Sequence, residues 1–217
     1  IGCLCAGLML GAIYGLLPIY LIQTLHQENW LSWLMAITIF GGMCLQYPLG
    51  RLSDTIERRK IIIAIAGIMA LCCILLVFIP VQLELVGFLL FLIGGAAFVV
   101  DPISISHACD RIETHDITAA TQGLLIFYGL GAVLGPLLAS TTMHYLGTIG
   151  LPVFLAGTAT VLACFFVWRK TQTFYVTQEE HFMAMPQTTP MLAEIDPRGE
   201  SDIDTSLTDN PLLANNL

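Results

Sequence analysis

The sequence predicts an all-α membrane protein: a six-transmembrane-helix bundle over residues 1–170 and a disordered acidic tail over residues 171–217. Three observations carry that prediction. Hydrophobic residues fill 56% of the 217 positions and charged residues 11%, against about 25% charged in a soluble domain. Apolar runs of about 20 residues, the length a helix needs to cross a bilayer, recur along the chain. The eight Lys and Arg residues (Arg51, Arg58, Arg59, Lys60, Arg111, Arg169, Lys170 and Arg198) all follow the second, fourth or sixth run. In a six-span chain those positions share one face. The positive-inside rule makes that face cytoplasmic, so both ends are expected there.

Helix 1 is expected over residues 1–22. Gly7, Gly11 and Gly15 recur every four residues, which suits close helix approach in lipid. Tyr14 and Tyr20 flank Pro18, a residue tolerated in a membrane helix because neighbours bond the carbonyl it frees. Helix 2 covers residues 31–50, with Trp30 and Trp33 at its outer end as an interfacial belt. Gly41 and Gly42 mark a packing point within it. Helix 3, residues 60–79, is nearly pure Ile, Leu, Ala and Cys, and Pro80 ends it. It offers a solute no polar group and reads as peripheral and lipid-facing. Helix 4 covers residues 84–106, with a small-residue patch at Gly94-Gly95-Ala96-Ala97 and then Asp101-Pro102. Helix 5, residues 118–145, carries Gln122 and Tyr128 on an otherwise apolar surface, followed by Gly129, Gly131, Gly135 and Pro136. Helix 6 covers residues 150–168 and closes on Arg169-Lys170.

The net charge of −8 belongs to the tail. Residues 171–217 hold eight acids against Arg198, whereas residues 1–170 hold eight acids against seven bases. The tail has too little apolar surface to offset its ordering entropy. No basic surface fit for nucleic acid exists. The seven cysteines lie mostly inside apolar runs, where a thiol packs as a small apolar group and forms no disulfide framework. Neither a basic n-region nor a small-residue cleavage site opens the chain, so no signal peptide is expected. The start at Ile1 inside an apolar run suggests the C-terminal part of something longer.

The densest charge lies between helices 2 and 3, in Gly50-Arg51-Leu52-Ser53-Asp54-Thr55-Ile56-Glu57-Arg58-Arg59-Lys60. Two flanking spans require a tight turn there, which Gly50 would permit. Asp54 would lie before helix 3, where a carboxylate is favoured by the helix dipole. Arg58, Arg59 and Lys60 would sit at the same N-terminus, where cations are disfavoured and need acids, lipid phosphates or the topology constraint to hold them. This stretch resembles the cytoplasmic signature loop of the major facilitator superfamily, a Gly, an Asp four residues on, then a Gly and two or three basic residues. Gly50, Asp54, Arg58, Arg59 and Lys60 match it. Thr55 stands where a basic residue is usual and Glu57 where the Gly is usual, as in the degenerate copy between spans eight and nine. The strings Gly11-Ala12-Ile13-Tyr14-Gly15-Leu16-Leu17-Pro18, Gln46-Tyr47-Pro48-Leu49-Gly50-Arg51-Leu52-Ser53-Asp54 and Gly131-Ala132-Val133-Leu134-Gly135-Pro136 are similar to the YcaD-like branch of bacterial transporters. The resemblance covers residues 1 to about 170. It implies spans seven to twelve of a twelve-span transporter of the bacterial inner membrane, with the N-terminal six-helix half absent from this chain. It further implies that the loop latches the two halves, that helices 1, 4 and 5 approach a central cavity, and that helices 3 and 6 stay outside.

Asp101 is the sharpest single candidate. A carboxylate at span centre costs roughly 2.5–3.5 kcal/mol on insertion scales. It is therefore either a proton-coupling or solute-pairing acid, or an interfacial acid paired with Arg111 or water. Gln122, Tyr128, Tyr14 and Tyr20 are hydrogen-bonding groups in apolar spans, placed on the cavity by the resemblance and otherwise joined to neighbouring helices. Enzyme readings find no support. Ser104, Ser106 and His107 have no Gly-x-Ser-x-Gly elbow around them. His107, Cys109, Asp110 and His115 lack paired metal-ligand spacing. No phosphate-binding glycine loop exists, and no cofactor is expected. The reading is secondary transport of a small solute, with H⁺ as the favoured coupling ion. The alternative is a membrane scaffold or truncated product whose acidic tail, with Asp209…Leu212-Leu213, binds a partner.

Overall fold

Hydrocarbon offers no water to bond a peptide group, so each apolar run must close its own hydrogen bonds as a helix. The computed structural model describes residues 1–25, 28–78, 82–110 and 117–172. Among these it shows α1 (Gly2–Leu25), α2 (Leu31–Thr55), α3 (Arg58–Phe78), α4 (Leu83–Cys109), α5 (Ile117–Leu146) and α6 (Gly150–Gln172), and no strand. Two single 3-10 turns, Glu28–Trp30 and Gly147–Ile149, lead into α2 and α6. Five stretches are long and apolar enough to cross a membrane. They are the first four helices and Ile117–Arg169, which holds both α5 and α6. The described residues belong to one compact unit, Ile1–Phe174. The expectations for the tail, Pro80, Arg111 and His115 lie outside the described residues.

The helices pair in an ordered way. α1 packs mainly on α5, α2 on α4, and α3 on α6, while α1 and α4 meet in the middle. Exchanging α1 with α4, α2 with α5 and α3 with α6 turns this set of pairs into itself. Buried side chains of α1, α3 and α4, with Leu151, Leu155, Ala159, Leu162 and Phe166 of α6, form one apolar core. On α2 only Leu34, Thr38, Gly41, Gly42 and Ser53 are buried, and on α5 only Gly131, Gly135 and Ala139. These two flanking helices present apolar side chains outward, among them Trp33, Phe40 and Met43 on α2 and Ile126, Val133 and Leu137 on α5.

Glycine makes the tightest crossings. A Cβ on Gly7 would fall on the Tyr128 carbonyl oxygen, and one on Gly131 would fall on the Leu4 carbonyl oxygen. A Cβ on Gly94 would fall on the Thr38 carbonyl oxygen, and one on Gly41 on that of Phe91. Each glycine thus stands over the carbonyl three residues before its partner glycine. The α1–α5 and α4–α2 crossings share one register. Close backbone approach of this kind supplies the packing that a hydrophobic effect cannot supply between helices in lipid.

The charged stretch departs from expectation. α2 does not stop at Gly50 but continues to Thr55, and the turn consists of Ile56 and Glu57, with Ile56 extended at φ −116°, ψ 152°. Gly50 is helical, and a Cβ there would meet nothing within 4 Å, so the turn does not need it. The physical reason is local bonding. Ser53 Oγ donates to the Gly50 carbonyl at 2.7 Å and Thr55 Oγ1 to the Leu52 carbonyl at 3.0 Å, while the Ile56 N–H reaches the Leu52 carbonyl at 3.0 Å. Asp54 consequently lies in the last turn of α2 rather than ahead of α3.

Candidate functional site

Two groups of polar residues stand out, one at the end where α2 meets α3 and one about two turns in from the end of α4. At the first, Arg58 opens α3 and reaches back. Its Nη2 lies 3.4 Å from Asp54 Oδ1 and its Nε 3.2 Å from Asp110 Oδ2, just past the end of α4. The pair with Asp54 corrects two unfavourable placements together. It sets a cation beside the C-terminal end of α2 and an anion beside the N-terminal end of α3, where each dipole favours it. Lys60 Nζ pairs with Glu57 Oε2 at 3.2 Å. Glu57 sits just before α3 and accepts the Lys60 N–H at 2.9 Å, so the position expected to hold a glycine supplies an acid instead. Arg59 is 5% exposed. A cleft of about 480 Å³ opens among Asp54, Glu57, Arg58, Arg59, His107 and Asp110. The structure therefore gathers Asp54, Arg58, Arg59 and Lys60 at one helix junction, with Gly50 about one turn before Asp54 on α2. Asp110, which fastens this junction to α4, was not foreseen from the sequence, because its partner lies on a different helix.

The second group lies deeper. Asp101 stands eight residues before the end of α4, about 12 Å along the axis. The Cys3 thiol at the start of α1 is a hydrogen-bond partner of the Asp101 carboxylate, and the Tyr128 hydroxyl of α5 lies in the same neighbourhood. One Asp101 oxygen, Oδ1, is buried and has no hydrogen-bond partner among the described residues. The Ser104 hydroxyl, one turn on and packed against Gly2, is buried in the same condition. Phe98, one turn before Asp101, meets the Tyr14 ring edge-on with centroids 6.0 Å apart and planes at 82°. Phe98 also packs against Gly42, where a Cβ would come within 2.6 Å of the ring. Among the described residues, no Lys or Arg lies more than two turns from a helix end.

Asp101, Tyr128 and Tyr14 are thus brought together, with Phe98 and Cys3 added. Tyr20 is not with them. It is 5% exposed, beside Thr24 and Cys73 in the core between α1 and α3, because its position on α1 faces α3 and α6 and not the open side. Gln122 stands exposed near the start of α5, away from the group. Phe98 was legible in principle, since residues three apart on a helix share a face. Cys3 was not, because nothing in the sequence aligns α1 with α4. The shared register of the two crossings adds a relation. Tyr14 follows the crossing glycine Gly7 by seven residues, and Asp101 follows Gly94 by seven. Seven residues are two turns, so Tyr14 and Asp101 occupy the same place in the two halves of the bundle.

Six helices, most of them long and apolar enough to cross a bilayer, with two flanking helices whose outer faces are uncovered and apolar, define a multi-pass membrane protein. The sequence profile of the Major Facilitator Superfamily matches residues 1–189, and the chain belongs to that family. It is 29% identical over 143 residues to an uncharacterized MFS-type transporter of Enterobacter sp. (strain 638). It is 30% identical over 148 residues to the uncharacterized MFS-type transporter YcaD of Salmonella paratyphi B, and equally so to YcaD of Salmonella newport. Each match covers 66% of this chain and 36% of the relative. The chain therefore spans about a third of the curated relatives' length. These relatives are named as MFS-type transporters.

Proposed function

We propose that this chain is the six-span C-terminal half of a secondary transporter that moves a small solute across the bacterial inner membrane by alternating access, with both of its ends cytoplasmic. The observation that carries the reading is the uncovered pair of flanking helices. α2 and α5 bury glycine-lined stripes against α4 and α1 but leave their other faces, rich in Trp, Phe, Ile and Leu, without protein cover. The two are related by the exchange that relates the two triplets of helices, as in transporters built from inverted three-helix repeats. An N-terminal six-helix half seated on both faces would enclose Asp101, Tyr14 and Tyr128 at the bilayer midplane. The Asp54–Arg58–Asp110 junction, with Arg59 and Lys60, would form the latch that this half offers to its partner at the cytoplasmic face, and the smooth helical surface at Gly50 would let the partner approach. Asp101 would carry the coupling proton or pair with the solute, and Gln122 would line the cytoplasmic approach.

The test is transport in proteoliposomes under an imposed pH gradient, with this chain alone and with the chain joined to a six-span N-terminal half. Solute movement by the joined form only supports the reading. Movement by neither form across a broad solute panel refutes it.

A further inference from the structure

We propose that the end of the bundle bearing the charged junction holds a site for the phosphate of an anionic phospholipid, in a cavity among α1, α4, α5 and α6. Three observations lead to it. First, a cavity of about 260 Å³ lies among Gly2 of α1, Ser104 and His107 of α4, Leu124 of α5, and Phe166 and Arg169 of α6. His107 also lines the cleft at the α2–α3 junction, so the cavity belongs to the end of the bundle where the described Lys and Arg residues lie. Second, Ser104 is 6% exposed, and its hydroxyl has no hydrogen-bond partner among the described residues. A buried hydroxyl is ordinarily paired, so one that lines a cavity without a partner points to an acceptor inside it. Third, the cavity joins basic groups to apolar walls. Arg169 stands exposed in the last turn of α6. Its guanidinium carries five N–H donors, enough to hold phosphate oxygens and keep its contacts to the protein. The His107 ring meets Phe166 edge-on, with centroids 5.8 Å apart. Basic pockets between membrane helices on the cytoplasmic side suit anionic headgroups.

Other ligand classes fit less well. Asp101 is not among the walls and no other acid lines the cavity, so a cation would meet Arg169 and His107 with nothing to offset them. A small water-soluble anion would leave Leu124, Phe165 and Phe166 uncovered. A phospholipid sets its phosphate against Arg169 and Ser104 and its glycerol and upper acyl chain against those apolar walls. The negative surface potential of the inner leaflet draws such lipids toward basic groups at this end. The site goes beyond the transport reading: it requires a bundle seated in a membrane with this end at the inner leaflet, whatever solute is moved.

The experiment uses the complete polypeptide that carries this segment, purified in detergent and titrated with dioctanoyl-phosphatidylglycerol. Dioctanoyl-phosphatidylcholine is the zwitterionic counterpart, and glycerol 3-phosphate supplies the phosphate without acyl chains. Native mass spectrometry reads the bound fraction. Saturable binding of one phosphatidylglycerol per chain is expected, at least tenfold tighter than phosphatidylcholine and not displaced by an equal concentration of glycerol 3-phosphate. Arg169→Gln should weaken it at least tenfold and Ser104→Ala severalfold, while Arg169→Lys should weaken it less than Arg169→Gln. Arg51→Gln, exposed at the same end but outside the cavity, should leave it unchanged. Each variant is first shown to keep the wild-type melting temperature. Should Arg169→Gln fail there, Ala108→Leu takes its place, because it narrows the cavity without altering charge and should weaken binding as well. Unchanged binding in the cavity variants, an equal loss in Arg51→Gln, or equal affinity for the two lipids overturns the proposal. Displacement by an equal concentration of glycerol 3-phosphate marks a site for free phosphate and overturns the lipid assignment. None of these outcomes touches the transport reading, which the proteoliposome panel tests by itself.

Discussion

Adding one methyl group at the α1–α5 crossing should loosen the whole bundle. A Cβ on Gly7 has the Tyr128 carbonyl oxygen in its place, and one on Gly131 has the Leu4 carbonyl oxygen. Both obstacles are backbone, so no side chain can rotate away and the helix axes must separate by roughly 1 Å, within the 8–10 Å range set by contact residues. Overpacking costs about 1–3 kcal/mol, and an immovable backbone places Gly7→Ala and Gly131→Ala near the upper end. Against this, Ala gains about 1 kcal/mol over Gly in a helix interior. A net loss of about 2 kcal/mol corresponds to roughly 4–8 °C in melting temperature for a chain of this size. The two sites share one contact, since a Cβ on Gly131 would lie 3.1 Å from Gly7 Cα. Once one substitution has spread the helices the second should cost less, so the double variant should lose clearly less than the sum. Gly67 and Gly157 are the controls, because a Cβ on either meets nothing within 4 Å, and their alanine variants should melt at or above wild type. The assay is thermal unfolding in detergent followed by circular dichroism or a thiol-independent fluorophore. Equal melting temperatures for Gly7→Ala, Gly131→Ala and Gly67→Ala would refute the close crossing.

Other expectations follow from single contacts. Arg58→Ala removes both the Asp54 and Asp110 pairs. At about 0.2–1 kcal/mol for each partly exposed pair, melting should fall by a few degrees at low salt and hardly at all at 1 M salt. A loss independent of salt would point to packing instead. Gly50→Ala should raise the melting temperature by about 2–4 °C, because the site is helical and open; a fall would mean that the chain does turn there. Gly147→Ala should lower it, since Gly147 holds φ at +67° and a left-handed L-residue costs roughly 1–2 kcal/mol. For the proposed orientation, a membrane-impermeant maleimide applied outside intact cells should label Asn29→Cys but not Thr55→Cys. The reverse pattern would invert the topology.

The helices were legible because uncharged runs long enough to span can do little else in lipid. The observed ends lie within five residues of the expected ones, and the largest shift is at α2. That shift came from giving Gly50 the meaning it has in a soluble turn. Ser53 and Thr55 bonding back to their own helix carry α2 one and a half turns further, and side-chain back-bonding of this kind has no apolar periodicity to announce it. The four-residue spacing of Gly7, Gly11 and Gly15 pointed to a close approach, but not to α5 as the partner. Tyr20 shows the limit most plainly. Tyr14 and Tyr20 are both tyrosines in one apolar run, yet Tyr14 is 49% exposed and Tyr20 is 5% exposed. Six residues place them about 120° apart around α1, and only the positions of the neighbouring helices say which side is the core.

The register of the two glycine crossings ties these observations into one constraint. If α1–α5 and α4–α2 are copies of one arrangement, then every position on α1 has a counterpart on α4, and a side chain at the shared place is set by the crossing and not by its own helix. Tyr14 and Asp101 hold that place with different chemistry, and Gly15 and Pro102 follow them. A stability requirement would be expected to favour similar groups at both copies, as it does for Gly7 and Gly94 and for Gly131 and Gly41. The glycine pairs keep one geometry in both copies, whereas Tyr14 and Asp101 differ in chemistry at the same register, so the crossings fix the bundle and leave this pair free to differ. Exchanging the two, Tyr14→Asp with Asp101→Tyr, should therefore keep the fold and its melting temperature while moving the acid to the other triplet. Retained melting with lost transport by the complete polypeptide would assign the difference to function. A collapse of melting would show that the pair is structural after all.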